Sequence, residues 1–157
     1  MNVLSHALAG VALMAGAVIY GTDVFCAIVQ RPALARVDDR ALTSVMGRVH
    51  QYGDRRLPVP GVLSLAAAAL TVVTAAIAGR AAAAAAAGAA VAVLAVWLII
   101  YLRISAPVNR TLTAAAATGQ IPPDARSLQR RWDGVITTRV ILQAAAAAAL
   151  CAALALP

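Results

Sequence analysis

Residues 81–102, AAAAAAAGAAVAVLAVWLIIYL, run for 22 residues without an acid, a base or a proline. A helix needs about 20 apolar residues to cross the hydrocarbon core of a bilayer, so this stretch reads as a transmembrane span. The rest of the chain agrees with it. Of 157 residues, 62% are hydrophobic and 12% charged, and the mean hydropathy is +0.84. A soluble domain of this size carries roughly twice that share of charge. The composition therefore excludes a soluble enzyme, a disordered tail and a secreted disulfide scaffold.

Working outward, three further spans flank the first. Gly79-Arg80 is a two-residue connection to a span over about 57–79, which opens on Leu57-Pro58-Val59-Pro60. Proline suits a first helical turn because its missing N–H has no partner there. An N-terminal span covers about 3–29. It lacks a preceding positive residue and is too long for the apolar region of a signal peptide. After the central span, taken to about 105, the last covers about 134–156, interrupted by Arg139 and Gln143. The predicted fold is all-α: one transmembrane domain over 1–157, a four-helix bundle in contact with the lipid bilayer. The Ala runs are expected to be close-packed helix faces, since small side chains let backbones approach in lipid.

All 13 basic residues are Arg and all six acids are Asp, a usage expected of a bacterial genome rich in G and C. The arginines cluster in two long loops, before the second span and after the third, with Arg80 alone in the turn between those spans. The positive-inside rule then predicts a multi-pass protein of the inner or plasma membrane, Arg-rich loops cytoplasmic and both termini outside. The pI near 11.0 follows from this topology, and no nucleic-acid partner is expected. In the first loop, Asp38 is placed to cap a helix over about 39–52, with Leu42, Val45, Met46, Val49 and Tyr52 at helical spacing and Gly53 at its end. That amphipathic helix either lies along the membrane or extends the bundle below it. In the second loop, Thr111–Thr118 predicts two helical turns ended by Gly119, and Pro122-Pro123-Asp124 precedes a helix running into the last span.

Ionisable groups inside spans cost about 2.5–3.5 kcal/mol on insertion scales and face the bundle interior. Asp23 lies eight residues before Arg31, and Arg139 eight residues after Arg131, so each is about 12 Å deep at 1.5 Å per residue. They are expected to pair. Trp132, Ile136, Arg139 and Gln143 recur at 4, 3 and 4, one helical stripe, and Tyr20 shares a face with Asp23. Asn109 follows Pro107, where a break in the third span is expected to free its amide to turn toward the last span. Trp97 and Tyr101 read as packing. His6 and His50 fall near opposite membrane faces, as do Cys26 and Cys151, beyond the ~7 Å limit of a disulfide. No metal-ligand or nucleotide motif occurs, and no cofactor or metal is expected.

Pro107-Val108-Asn109-Arg110-Thr111-Leu112 after an apolar span, then Trp132 with Arg139 seven positions on, and Gln30-Arg31-Pro32-Ala33-Leu34 at the exit of the first span, together resemble the anthrone oxygenase-like family of small four-span membrane proteins. The resemblance implies a cofactor-independent oxygenase acting on an apolar aromatic or quinone-like molecule. It puts Asn109, Trp132 and Arg139 at the site: Arg139 as the cation, Asn109 as a donor to the oxyanion. Thr137 stands where members often carry His, which leaves His50 or Asp23 as the base. Trp132, Gln143 and Tyr20 are the expected substrate contacts. The competing expectation is a non-catalytic membrane helper or lipid-contacting subunit with an architectural ion pair.

Overall fold

The computed structural model describes residues 2–157, and they are helical almost throughout. α1 (Asn2–Phe25) continues through a π-helical turn at Cys26–Gln30 into Arg31–Leu34. α2 is Asp39–Arg56 and α3 is Pro58–Ile77. α4 (Ala81–Ile100) continues through a second π-helical turn at Tyr101–Ser105 into Ala106–Thr118. α5 is Ala125–Ala155. Four helices are long and apolar enough to cross a membrane: Val3–Leu34, Pro58–Ile77, Ala81–Thr118 and Ala125–Ala155.

The helices form a square. α1 packs against α3 and α5, α4 packs against the same two, and α2 packs against the lower part of α4. At 1.5 Å per residue, α4 with 38 residues is about 57 Å long and α3 with 20 residues about 30 Å. Only α3 matches the ~30 Å core of a bilayer. α2 makes up the difference. It ends at Arg56, with only Leu57 between it and α3, and runs antiparallel along α4, with Asp54 beside Asn109 and Gly47 beside Thr113. Of the two placements the sequence left open, α2 adopts the second and extends the bundle.

Local chemistry accounts for the ends. Asp38 Oδ1 accepts the Ala41 N–H at 2.7 Å and caps α2, as predicted. Gly119 closes α4 at φ +68, in the left-handed region where a Cβ is penalised. Gly53, in contrast, does not end α2. Its carbonyl accepts the Leu57 N–H at 2.8 Å, and the helix runs on to Arg56, where the missing N–H of Pro58 interrupts the ladder. Nor does α4 break at Pro107. A proline ring inside a helix clashes with the carbonyl four residues back. In both α1 and α4 a π turn ends two residues before the proline, at Gln30 before Pro32 and at Ser105 before Pro107. A widened turn at that place relieves the clash without ending the helix.

Two apolar clusters hold the bundle. One is built on alanine: Ala12, Ala67, Ala68, Ala90 and Ala146 with Leu94 and Leu150. The other, at the arginine-rich end, contains Leu34, Met46, Val108, Leu112, Trp132 and Ile136. Close approach is built in at Gly47, where a Cβ would collide with the Ala116 side chain and the Leu112 carbonyl.

Arg80 departs from expectation. The sequence places it in an exterior turn, yet it is buried. Its guanidinium donates to Ser5 Oγ at 2.7 Å and to the Ala153 and Leu156 carbonyls at 3.3 and 2.7 Å, and lies 3.1 Å from His6 Nε2. It ties the start of α1 to the end of α5, where a helix presents carbonyls without helical partners and favours a cation.

Candidate functional site

Between the two apolar clusters lies a cavity of about 340 Å³. Each long helix sends one stripe of side chains into it. From α5 come Trp132, Arg139 and Gln143, and from α1 Ile19, Asp23, Cys26 and Gln30. From α4 come Trp97, Tyr101 and Asn109, and from α2 His50, Gly53 and Asp54. The α4 residues belong to a series at steps of four: 97, 101, 105, 109. In an α-helix such a series drifts about 40° per step. The π turn at Tyr101–Ser105 lies within it and adds the slack that keeps the series on one face.

The predicted ion pair forms. Arg139 Nη2 donates to Asp23 Oδ1 at 2.6 Å and Nε to Oδ2 at 3.2 Å, with Asp23 1% and Arg139 6% exposed. Further donors complete it, because a buried charge needs its remaining valences filled. Arg139 Nη1 reaches Ser105 Oγ at 2.9 Å, and Trp97 Nε1 donates to Asp23 Oδ2 at 3.1 Å. The guanidinium carbon lies 5.4, 5.7 and 5.4 Å from the ring centroids of Trp97, Tyr101 and Trp132, within cation–π range. Trp97 and Tyr101, read from sequence as packing, are partners of the polar centre.

A second acid is present that sequence reasoning passed over. Asp54 Oδ1 accepts from Tyr101 Oη and from Asn109 Nδ2, both at 2.8 Å. This corrects the expectation for Asn109, whose amide turns to α2 rather than to Arg139. Because α4 does not break at Pro107, the side chain stays on the helix face that α2 covers. The available signal was the spacing of His50 and Asp54, four apart and so on one face of α2.

Four buried polar atoms of the lining residues have no hydrogen-bond partner: Gln30 Oε1, His50 Nε2, Trp132 Nε1 and Asn109 Oδ1. Since the Asp54 carboxylate can only accept, it fixes Asn109 with Nδ2 toward itself and Oδ1 away. His50 and Trp132 are neighbours, ring centroids 5.7 Å apart. Burial pushes the His50 imidazole down to about 4, against the opposite pull of Asp54, so the ring is neutral at pH 7 and its protonated form is costly in the cavity by itself. The walls are otherwise apolar. Val62 of α3 and Leu102 of α4 line the cavity while 67% and 54% exposed, so it reaches the surface that faces lipid.

Of the residues singled out from sequence, Asp23, His50, Asn109, Trp132, Arg139 and Gln143 all line this cavity. Tyr20 is half-buried and not among the lining residues. Cys26 and Cys151 are free thiols, one buried and one exposed. Among the described residues, no three His, Cys, Asp or Glu side chains lie close enough together to hold a metal ion. Comparison with protein-family models, curated proteins and solved structures gave no match. The class that fold and site define is thus a four-span α-helical membrane bundle with a lipid-facing cavity over a polar floor.

Proposed function

We propose that the cavity takes a hydrophobic aromatic molecule of the ketone or quinone type from the bilayer, and that the chain oxidises it with dioxygen. The observation that carries this reading is the polar floor of an otherwise apolar cavity. It offers one unpartnered donor, Trp132 Nε1, two unpartnered amide acceptors, Asn109 Oδ1 and Gln30 Oε1, and one neutral imidazole, His50, with Nε2 unpartnered. Ligand pockets combine apolar walls with a few such convergent groups, typically in volumes of roughly 300–1,000 Å³. The resemblance to anthrone oxygenases points to the same chemistry, and its residues Asn109, Trp132 and Arg139 share this cavity. Positive-inside orientation puts the arginine-rich end in the cytoplasm and both termini outside, in a plasma membrane.

In this mechanism His50 Nε2 removes a proton from a methylene conjugated through an aromatic ring with an aryl ketone. The carbanion delocalises its pair onto the ketone oxygen, which the Trp132 N–H stabilises with the Arg139 charge behind it. The carbanion transfers an electron to dioxygen, and the two radicals combine in a new C–O bond. His50 returns its proton to the peroxide anion. Loss of water then turns the C–H hydroperoxide into a second ketone, so one oxygen atom ends in product and the other in water.

Both tryptophans of the chain line the cavity, which makes their fluorescence a direct reporter. Anthrone added to the purified protein in detergent is expected to quench it and to consume one dioxygen per molecule, faster than in protein-free detergent. Absence of both quenching and uptake would refute the proposal. Quenching without uptake would select the non-catalytic reading, which the complete internal satisfaction of the Asp23–Arg139 pair favours.

A further inference from the structure

The wall that α3 gives the cavity differs from the rest. The unpartnered polar atoms sit on α1, α2, α4 and α5: Gln30 Oε1, His50 Nε2, Asn109 Oδ1 and Trp132 Nε1. α3 contributes none. Its one polar lining side chain, Ser64, already donates to the Ala12 carbonyl at 2.8 Å. The remaining lining residues within α3 are Pro58, Gly61, Val62 and Leu65, spaced i, i+3, i+4 and i+7 and so on one helix face. The neighbouring α4 brings Leu98 and Leu102 to the same cavity. Gly61 lies 18 residues before Gly79 and Leu98 19 after it, so the two stand at one level of the α3–α4 hairpin.

This apolar seam is where the cavity meets lipid. Val62 and Leu102 are largely exposed, while Gly61, Leu65 and Leu98 are half-buried. Room is kept at Gly61, where an added Cβ would meet no atom within 4 Å. The six side chains of the seam offer no hydrogen bond, and to an alkyl chain they are equivalent to lipid tails. The cavity thus has its polar groups inside and an apolar exit into the bilayer. A compact aryl ketone engages only the first. A ligand complementary to both is polar at the end that enters and apolar at the end that trails.

Resting on the aromatic reading of the head given above, we propose that the ligand also carries a linear hydrocarbon tail, which leaves through the α3–α4 seam past Gly61 into the bilayer. A tail is as well solvated by lipid as by the seam, so it adds little affinity and instead demands space. Gly61 is then the residue that sets specificity. A larger side chain there closes the exit to tailed molecules and leaves tailless ones their place on the floor.

Tryptophan quenching in detergent tests this with two probes, anthraquinone and anthraquinone bearing an octyl chain. Both are expected to quench the wild-type protein. Leucine is a better helix former than glycine, so Gly61→Leu keeps α3 intact. It is expected to weaken the octyl probe by about tenfold or more, the scale of overpacking a filled space, and to leave anthraquinone within about twofold. Leu98→Phe, which narrows the seam from α4, acts in the same direction. Comparing each probe between wild type and variant cancels its partition into micelles. Wild-type quenching by anthraquinone alone, equal weakening of both probes in Gly61→Leu, or unchanged octyl binding in both variants would overturn the tail and leave the aromatic reading standing. Absence of quenching by either probe refutes that reading and the tail with it.

Discussion

Arg139 and Asp23, 116 residues apart in the chain, meet as a forked pair in which two guanidinium nitrogens face two carboxylate oxygens at 2.6 and 3.2 Å. The geometry is directional as well as electrostatic. A lysine in place of Arg139 supplies the charge but not the planar fork, and it cannot also reach Ser105 from the same group.

Arg139→Ala is therefore expected to destabilise the bundle by about 3–5 kcal/mol, the usual cost of leaving one buried charge without its partner. Arg139→Lys should recover only part of this. Replacing both members, Asp23→Asn with Arg139→Gln, should cost less than Arg139→Ala alone, because no uncompensated charge remains. Thermal unfolding in detergent measures all three, with the singles Asp23→Asn and Arg139→Gln to close the cycle. A double variant as unstable as the sum of its singles would show that the pair is not coupled.

The same pair marks how far the sequence could be read. Opposite charges at matched depth on two spans were enough to predict it, because burial leaves an ion few alternatives. Spans, the Asp38 cap and the Gly119 terminus were legible for the same reason: each rests on local chemistry. Asp54 was not, since nothing in a loop-like stretch says that α2 stacks under α3 and brings that acid to Tyr101. Arg80 was placed in the right turn, but its burial was not legible, because a turn between spans normally faces solvent. Here the open carbonyls at the end of α5 draw it inward, and that contact joins residues 76 apart. The continuation past Pro107 needed a π turn, which has no sequence signal of its own.

Arg80→Ala should cost about 2–3 kcal/mol in the same unfolding experiment: several hydrogen bonds worth about 1.5–3 kcal/mol each are lost, offset in part by relief of the desolvation of a buried guanidinium. Its effect on ligand quenching should be small. Arg139 precedes the end of α5 by sixteen residues, about 24 Å of helix, so the clamp and the cavity are far apart. Strong loss of quenching with unchanged stability would contradict this division.

At Gly47 the objection to a side chain is steric, because Ala116 and the Leu112 backbone occupy the space a Cβ requires. Gly47→Ala should lower stability by about 1–3 kcal/mol, the range for overpacking a tight contact, and should disturb the α2–α4 packing that holds His50 in the cavity. Gly10→Ala, where no atom lies within 4 Å of the added Cβ, is the matched control and should be nearly neutral.

His50 makes stability depend on pH in a defined window. Its pKa is lowered from 6.5 to about 4 by burial, so between those values the unfolded chain binds a proton that the folded chain does not. Stability should accordingly rise with pH across pH 4–6.5, with a slope approaching about 1.4 kcal/mol per unit, and level off above. On acidification this contribution is lost as pH falls through the same window. His50→Gln should flatten that part of the curve. An unchanged slope in the variant would assign the acid sensitivity to other groups.

The sharpest separation of stability from binding lies at Trp132. Its indole ring packs in the cluster with Met46 and Leu112 and faces Arg139 at 5.4 Å, while its Nε1 hydrogen is buried without a partner. An unpartnered buried donor is a cost to the folded state, so removing it should not destabilise the protein. Trp132→Phe keeps an aromatic face toward the guanidinium and deletes the donor. Unfolding should shift by about 1 kcal/mol or less, the smaller ring's lost contact offsetting the removed cost. Binding of an aryl ketone, followed through the remaining Trp97, should weaken by about fivefold to tenfold, the worth of one hydrogen bond from an otherwise idle donor. Anthracene, which has the same fused rings and no oxygen, should bind wild type and variant alike. If both ligands weaken together, the ring's shape rather than its N–H governs the site, and the donor role assigned to Trp132 is withdrawn.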